Sequence, residues 1–244
     1  MDGSIWPLVR FPAVIAVGLA VAAAIAGCGG KVIHLGDGND GGPCAHGQVS
    51  ANQVLWIGDS WILVPGGQVT RVQDLARAAG AIGPNDTYVV GAAPAVLMSM
   101  IASQYDTQEA GATKVKVLIM DGGTWDTIQA NNAGGAAAVP AAATSAANAF
   151  SQLLTNVASD RTVQHIIYFL PPEIQTIPGV AELRPLVSQA CQQSAVPCHF
   201  LDLDSLWTGH PEYTGAGAFL PTDAGAVVLG DAIWALMQQN CVAQ

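Results

Sequence analysis

Five short apolar runs, spaced by stretches of helical periodicity, constrain this chain more than any other feature. Val54-Leu55-Trp56-Ile57, Tyr88-Val89-Val90, Val115 to Met120, Val163 to Leu170 and His199 to Leu203 read as strands, because they are too short for helices and are bounded by turn residues. Between the first two runs, Val72, Leu75, Ala76 and Ala79 recur at helical spacing, and Gly80 stops the helix. Further helices are predicted over Pro94 to Tyr105, Ala141 to Ser159, Glu182 to Gln193 and Thr222 to Gln239, with Pro140 near the first turn of the second of these. Continuously apolar strands must be covered on both faces. The alternation therefore predicts an α/β domain: a flavodoxin-like three-layer sandwich with a five-stranded parallel sheet. Ligands in such sheets bind beyond the carboxyl ends of the strands, so the loops that follow each strand are where chemistry is expected. No internal repeat is present.

The segment before the first strand reads as a targeting and tethering region. A single basic residue, Arg10, precedes an uncharged apolar run from Ala13 to Ala26. That run is short of the about 20 residues a membrane-spanning helix needs and matches the core of a signal peptide. It ends in Ile25-Ala26-Gly27-Cys28, which resembles a bacterial lipobox. The expectation is a signal peptide over 1–27, an acyl anchor on Cys28, a flexible tether over 28–52 and a folded domain over 53–244. Gly29 after the cysteine is similar to lipoproteins sorted to the outer membrane, so the predicted location is the cell envelope, with the membrane as partner through the anchor. The run Gly36 to Gly42 is flexible and polar, and Gly41 falls where a calcium loop would need an oxygen ligand.

Setting Cys28 aside leaves Cys44, Cys191, Cys198 and Cys241, which allow three disulfide pairings in an exported chain. Cys191–Cys198 would close a short loop and Cys44–Cys241 would staple the ends of the domain; these are the favoured pairs. The spacings do not match a zinc site, and no metal or cofactor is expected. A net charge of -10 argues against nucleic acid and against electrostatic docking on an anionic bilayer.

After the first strand comes Gly58-Asp59-Ser60-Trp61. A serine on a tight strand-to-helix turn presents its hydroxyl at the sheet edge, near backbone N–H groups. Here the chain resembles the SGNH (GDSL) hydrolases, over roughly residues 53–239 and with the family's blocks in order. The resemblance implies Ser60 as nucleophile and as an oxyanion donor. It implies Gly91, in Val90-Gly91-Ala92, as a second oxyanion donor. The family's third block, Gly-x-Asn-Asp, appears as Gly123-Thr124-Trp125-Asp126, with Trp125 where an asparagine donates to the oxyanion. Asp126 matches the aspartate of that block. The last block, Asp-x-x-His-Pro, appears with Gly217 for the aspartate and Leu220 for the histidine before Pro221.

These departures set the functional expectation. A serine hydroxyl needs a base to become a nucleophile. In the subtilisin case, loss of the histidine lowers turnover by about 10⁶. His34 and His46 fall in the tether; His165 and His199 fall within strands. His210, with Asp202 and Asp204 upstream, is the one substitute base the sequence offers; an exposed loop histidine is the simpler reading. Asp59 and Asp121 read as groups that fix their loops, Trp56 and Trp234 as core, and Trp61 and Trp125 as either groove lining or core. The leading expectation is an envelope lipoprotein of hydrolase fold, catalytically impaired and binding an ester, acetylated glycan or lipid-like ligand. An active serine esterase using Ser60 and His210, and an interaction lipoprotein without a small-molecule site, are the rivals.

Overall fold

The computed structural model describes residues 49–174, 177–215 and 218–243. Cys28, Cys44, His34, His46 and Gly217 lie outside the described residues. So do the expected signal peptide, the lipid site and nearly all of the tether.

The five strands are β1 (Val54–Ile57), β2 (Val89–Val90), β3 (Val117–Met120), β4 (His165–Leu170) and β5 (Cys198–Asp202). They pair in the order β2-β1-β3-β4-β5, every pair parallel. Each residue of β1 and β3 is buried, which accounts for their uninterrupted apolar sequences. The order reverses direction at β1, whose neighbours are β2 and β3. The carboxyl end of β1 is thus the switch point where a parallel sheet opens a crevice, and Ser60 follows it directly.

The longer helices are α1 (Gln68–Ala78), α2 (Met98–Glu109), α3 (Thr124–Gly134), α4 (Val139–Asp160), α5 (Val180–Gln192) and α7 (Asp223–Gln239); α6 (Asp204–Trp207) is a single turn. One group is α1 on α7; the other is α4, which packs against α2, α3 and α5. Ala143, Ala146, Phe150, Leu153, Leu154 and Val157 form the buried stripe of α4 at the spacing of one helical face.

Two differences from the sequence expectation stand out. The helix predicted from Pro94 begins four residues later, at Met98, because Ala95 adopts a left-handed conformation at φ 55°. The helix α3 was not expected, since its sequence has no apolar stripe and buries only Thr124 and Thr127. Cys191 and Cys198 form a disulfide joining α5 to the start of β5, with Cα atoms 5.3 Å apart. Cys241 is also disulfide-bonded.

Candidate functional site

The turn after β1 is held from beneath by buried polar atoms. Gly58 has φ 143°, a conformation open to glycine, and a Cβ at that position would stand 1.8 Å from Asp121 Oδ1. Its N–H donates to Gln104 Oε1 at 2.8 Å and its carbonyl accepts from Gln104 Nε2 at 3.0 Å and from the Ala93 N–H at 3.2 Å, so one side chain of α2 meets both backbone polar groups of this residue. Asp59 is buried, and its N–H donates to Asp121 Oδ1 at 2.8 Å. The Trp61 amide donates to Asp59 Oδ1 at 3.2 Å, and the Thr124 hydroxyl lies 3.4 Å from Oδ2. Burial raises the pKa of Asp59 and pushes that of Asp121 well above the usual carboxylate range, and the Asp59 charge adds to the Asp121 shift.

Ser60 sits half-buried above this base. Its Oγ accepts a hydrogen bond from the Ala95 N–H at 3.1 Å. The expected second donor, Gly91, is not available: its N–H donates to the Trp56 carbonyl at 2.8 Å and so extends the β1–β2 ladder. The donor that reaches the serine is therefore Ala95, which sequence reasoning missed. Left-handed backbone outside glycine is uncommon, and nothing in Pro94-Ala95 signals it.

Trp125 and Asp126 belong to the first turn of α3, which the left-handed Gly123 (φ 87°) starts. The Asp126 carboxylate accepts from the Met98 N–H at 2.9 Å and caps the first turn of α2, where the helix dipole favours a negative charge. Its pKa is raised, chiefly by burial. Trp125 is half-buried and its Nε1 is enclosed without a hydrogen-bond partner among the described residues. Trp61 is 2% exposed and packs on Trp207 with ring centroids 5.9 Å apart, so it is core rather than groove lining. Trp56 and Trp234 are buried as expected.

The loop after β5 holds the other expected residues. His210 is exposed; its Nδ1 lies 2.8 Å from Glu212 Oε1, and its ring stacks on Tyr213 at 4.6 Å. The hydrogen bond to His210 lowers the Glu212 pKa. Among the described residues no imidazole is hydrogen-bonded to Ser60, so the expectation that His210 serves as its base is not met in this geometry. Leu220, at the position of the family histidine, is half-buried and packs against the core. His165 and His199 lie at the amino ends of β4 and β5, the opposite edge of the sheet from Ser60, and burial lowers both pKa values. No group of three or more candidate metal ligands occurs among the described residues.

A five-stranded parallel sheet in the order β2-β1-β3-β4-β5, with Ser60 beyond the carboxyl end of β1, is a flavodoxin-like α/β domain. Solved structures agree. An α/β hydrolase enzyme from the metagenome of Lake Arreo is 16% identical, with TM-score 0.60, covering 79% of this chain and 97% of its own. A lipase from a goat rumen metagenome is 15% identical, with TM-score 0.60, covering 77% of this chain and 98% of its own. An acetylxylan esterase from Geobacillus stearothermophilus is 14% identical, with TM-score 0.57, covering 78% of this chain and 94% of its own. The chain shares their esterase-like hydrolase fold. No family model and no curated protein matches the sequence.

Proposed function

We propose that this chain is a catalytically impaired esterase-like protein that binds a small acylated ligand, such as an ester or acetylated glycan, at the Ser60 edge. The observation that carries this reading is the environment of Ser60. Its hydroxyl is met by a backbone amide, while the imidazole on the neighbouring loop is paired to Glu212. A serine in that setting keeps its proton and its low nucleophilicity. The Ala95 N–H remains a donor that an ester or acetyl oxygen could share. Leu220 and Trp125 stand where the family places polar groups, which favours the apolar part of an acyl ligand over chemistry on it.

We further propose that the domain is exported and tethered to the envelope, in the outer membrane, by acylation of Cys28. The Cys191–Cys198 disulfide supports an oxidising compartment. Metabolic labelling with a palmitate analogue, lost in Cys28→Ala, is the expected result.

The experiment for the site is labelling of the full-length chain with a serine-reactive fluorophosphonate, beside Ser60→Ala and His210→Ala. The expected outcome is no labelling above the Ser60→Ala background, together with saturable binding of acetylated oligosaccharides or short-chain esters. Labelling that vanishes in both variants would replace this reading with an active serine esterase that uses His210.

A further inference from the structure

The Asp59–Asp121 pair beneath Ser60 is the most unusual electrostatic feature of the molecule. Asp121 is fully buried and Asp59 is 3% exposed. The Asp121 side chain reaches the backbone of Asp59, and the two acidic residues share one buried space. One Asp121 oxygen, Oδ1, accepts the Asp59 N–H; the other, Oδ2, is enclosed and receives no N–H or O–H donor from any other described residue. Among the described residues no lysine, arginine or histidine forms an ion pair with either carboxylate.

We propose that Asp121 is a positioning residue that seats the Gly58-Asp59-Ser60 turn by sharing one proton between its own carboxyl group and that of Asp59. Two adjacent buried carboxylates without a counter-ion cannot both be charged, because each would lack hydration and repel the other. A single proton turns the contact into an O–H···O⁻ hydrogen bond, which is short and charge-assisted. It also supplies the enclosed oxygen with a role. The same side chain then holds the turn at three points: the Asp59 amide through Oδ1, the Asp59 carboxyl through the proton, and the Gly58 backbone by close packing. Ser60 follows directly, so its Oγ is placed beneath the Ala95 amide by groups that never touch a ligand.

The other polar groups facing the pair are compatible. The Thr124 hydroxyl, from α3, approaches Asp59 Oδ2, and the Trp61 amide approaches Oδ1. Tyr168, from β4, is buried and donates to the Gly122 carbonyl at 2.7 Å, which leaves it neutral. Asp126 lies on α3 and its charge is spent on capping α2. Gln104 serves the Gly58 peptide. None of these groups offers a positive charge.

The sign of the pH effect follows. In the unfolded chain Asp121 ionises near pH 4; in the folded protein its pKa is raised. The folded state thus binds one more proton across the interval above pH 4, and stability falls as pH rises towards the folded pKa. The turn is held this way whether or not Ser60 attacks an ester, so failure of the labelling experiment and failure here are separate results.

The test uses the full-length chain and the Asp121→Asn and Asp121→Ala variants. Infrared difference spectra at pH 7 are expected to show the carbonyl band of a protonated, shielded carboxylic acid in the wild type. That band should shift in heavy water and be absent from Asp121→Asn. The wild-type melting midpoint should fall as pH rises above about 4, relative to Asp121→Asn, whose amide donates to Asp59 without titrating. Slow hydrogen exchange of the Ala95 amide, which reports the placement of Ser60, should survive in Asp121→Asn and be lost in Asp121→Ala. Absence of the acid band from the wild type at pH 7, or equal pH slopes for the wild type and Asp121→Asn, would overturn the assignment. The wild-type spectrum requires no variant, so a substitution that fails to fold leaves the question decided.

Discussion

The loop after β1 and the loop after β5 lie at the same edge of the sheet and are built in opposite ways. In the first, Gly58, Asp59 and Asp121 are buried, and the Gly58 N–H, the Gly58 carbonyl and the Asp59 N–H each meet a side-chain partner. In the second, His210 and Glu212 are exposed and pair with each other in solvent. That loop is anchored instead by an apolar contact and one buried bond, from Trp207 Nε1 to the Thr214 hydroxyl at 2.8 Å. Buried polar groups tolerate few arrangements because an unmet hydrogen bond is costly, whereas exposed ones exchange partners with water at little cost. The turn that carries Ser60 is therefore fixed by folding itself. The loop after β5 is not, and among the described residues no imidazole is hydrogen-bonded to Ser60.

Substitutions that test this contrast should differ widely in effect. Gly58→Ala forces a Cβ against Asp121 in a left-handed backbone, and a loss of about 3 kcal/mol or more, or no folded protein, is expected in chemical denaturation. Gln104→Ala leaves the Gly58 N–H without its partner and the Gly58 carbonyl with the Ala93 N–H alone, which should cost about 2 kcal/mol in the same assay. Asp126→Ala removes the cap of α2 and should cost about 1 kcal/mol, with faster hydrogen exchange at Met98. His210→Ala should leave the melting midpoint unchanged within error, since both His210 and its ionic partner Glu212 are exposed. A large loss from His210→Ala would mean that the second loop is as constrained as the first, and the contrast would be wrong. Leu220→His combined with Trp125→Asn and Gly217→Asp sharpens it from the other side: fluorophosphonate labelling of Ser60 should rise above the Ser60→Ala background if only the second half of the machinery is missing.

The strand pattern was legible because β1 and β3 are buried on both faces and so admit little but apolar residues. Ser60 was legible because a Gly-Asp-Ser turn after a buried strand is a local signal. The short disulfide could be favoured from sequence separation alone. The helix α3 was not legible: it is a polar segment, started by Gly123 in the left-handed region and packed on α4. The Gly91 assignment failed because sequence order cannot say whether an amide faces the site or the neighbouring strand.

The sequence by itself determined the class of fold, since apolar periodicity decides which surfaces must be covered. It also set which residues, Leu220, Gly217 and Trp125, stand at the positions that match the histidine, aspartate and asparagine of the resembling family. Only the tertiary structure decided which amide meets Ser60, where His210 spends its imidazole, and that two carboxyl groups from separate strand ends are buried together under the turn. Those outcomes depend on distances between segments far apart in the chain, which close packing fixes and local preference does not.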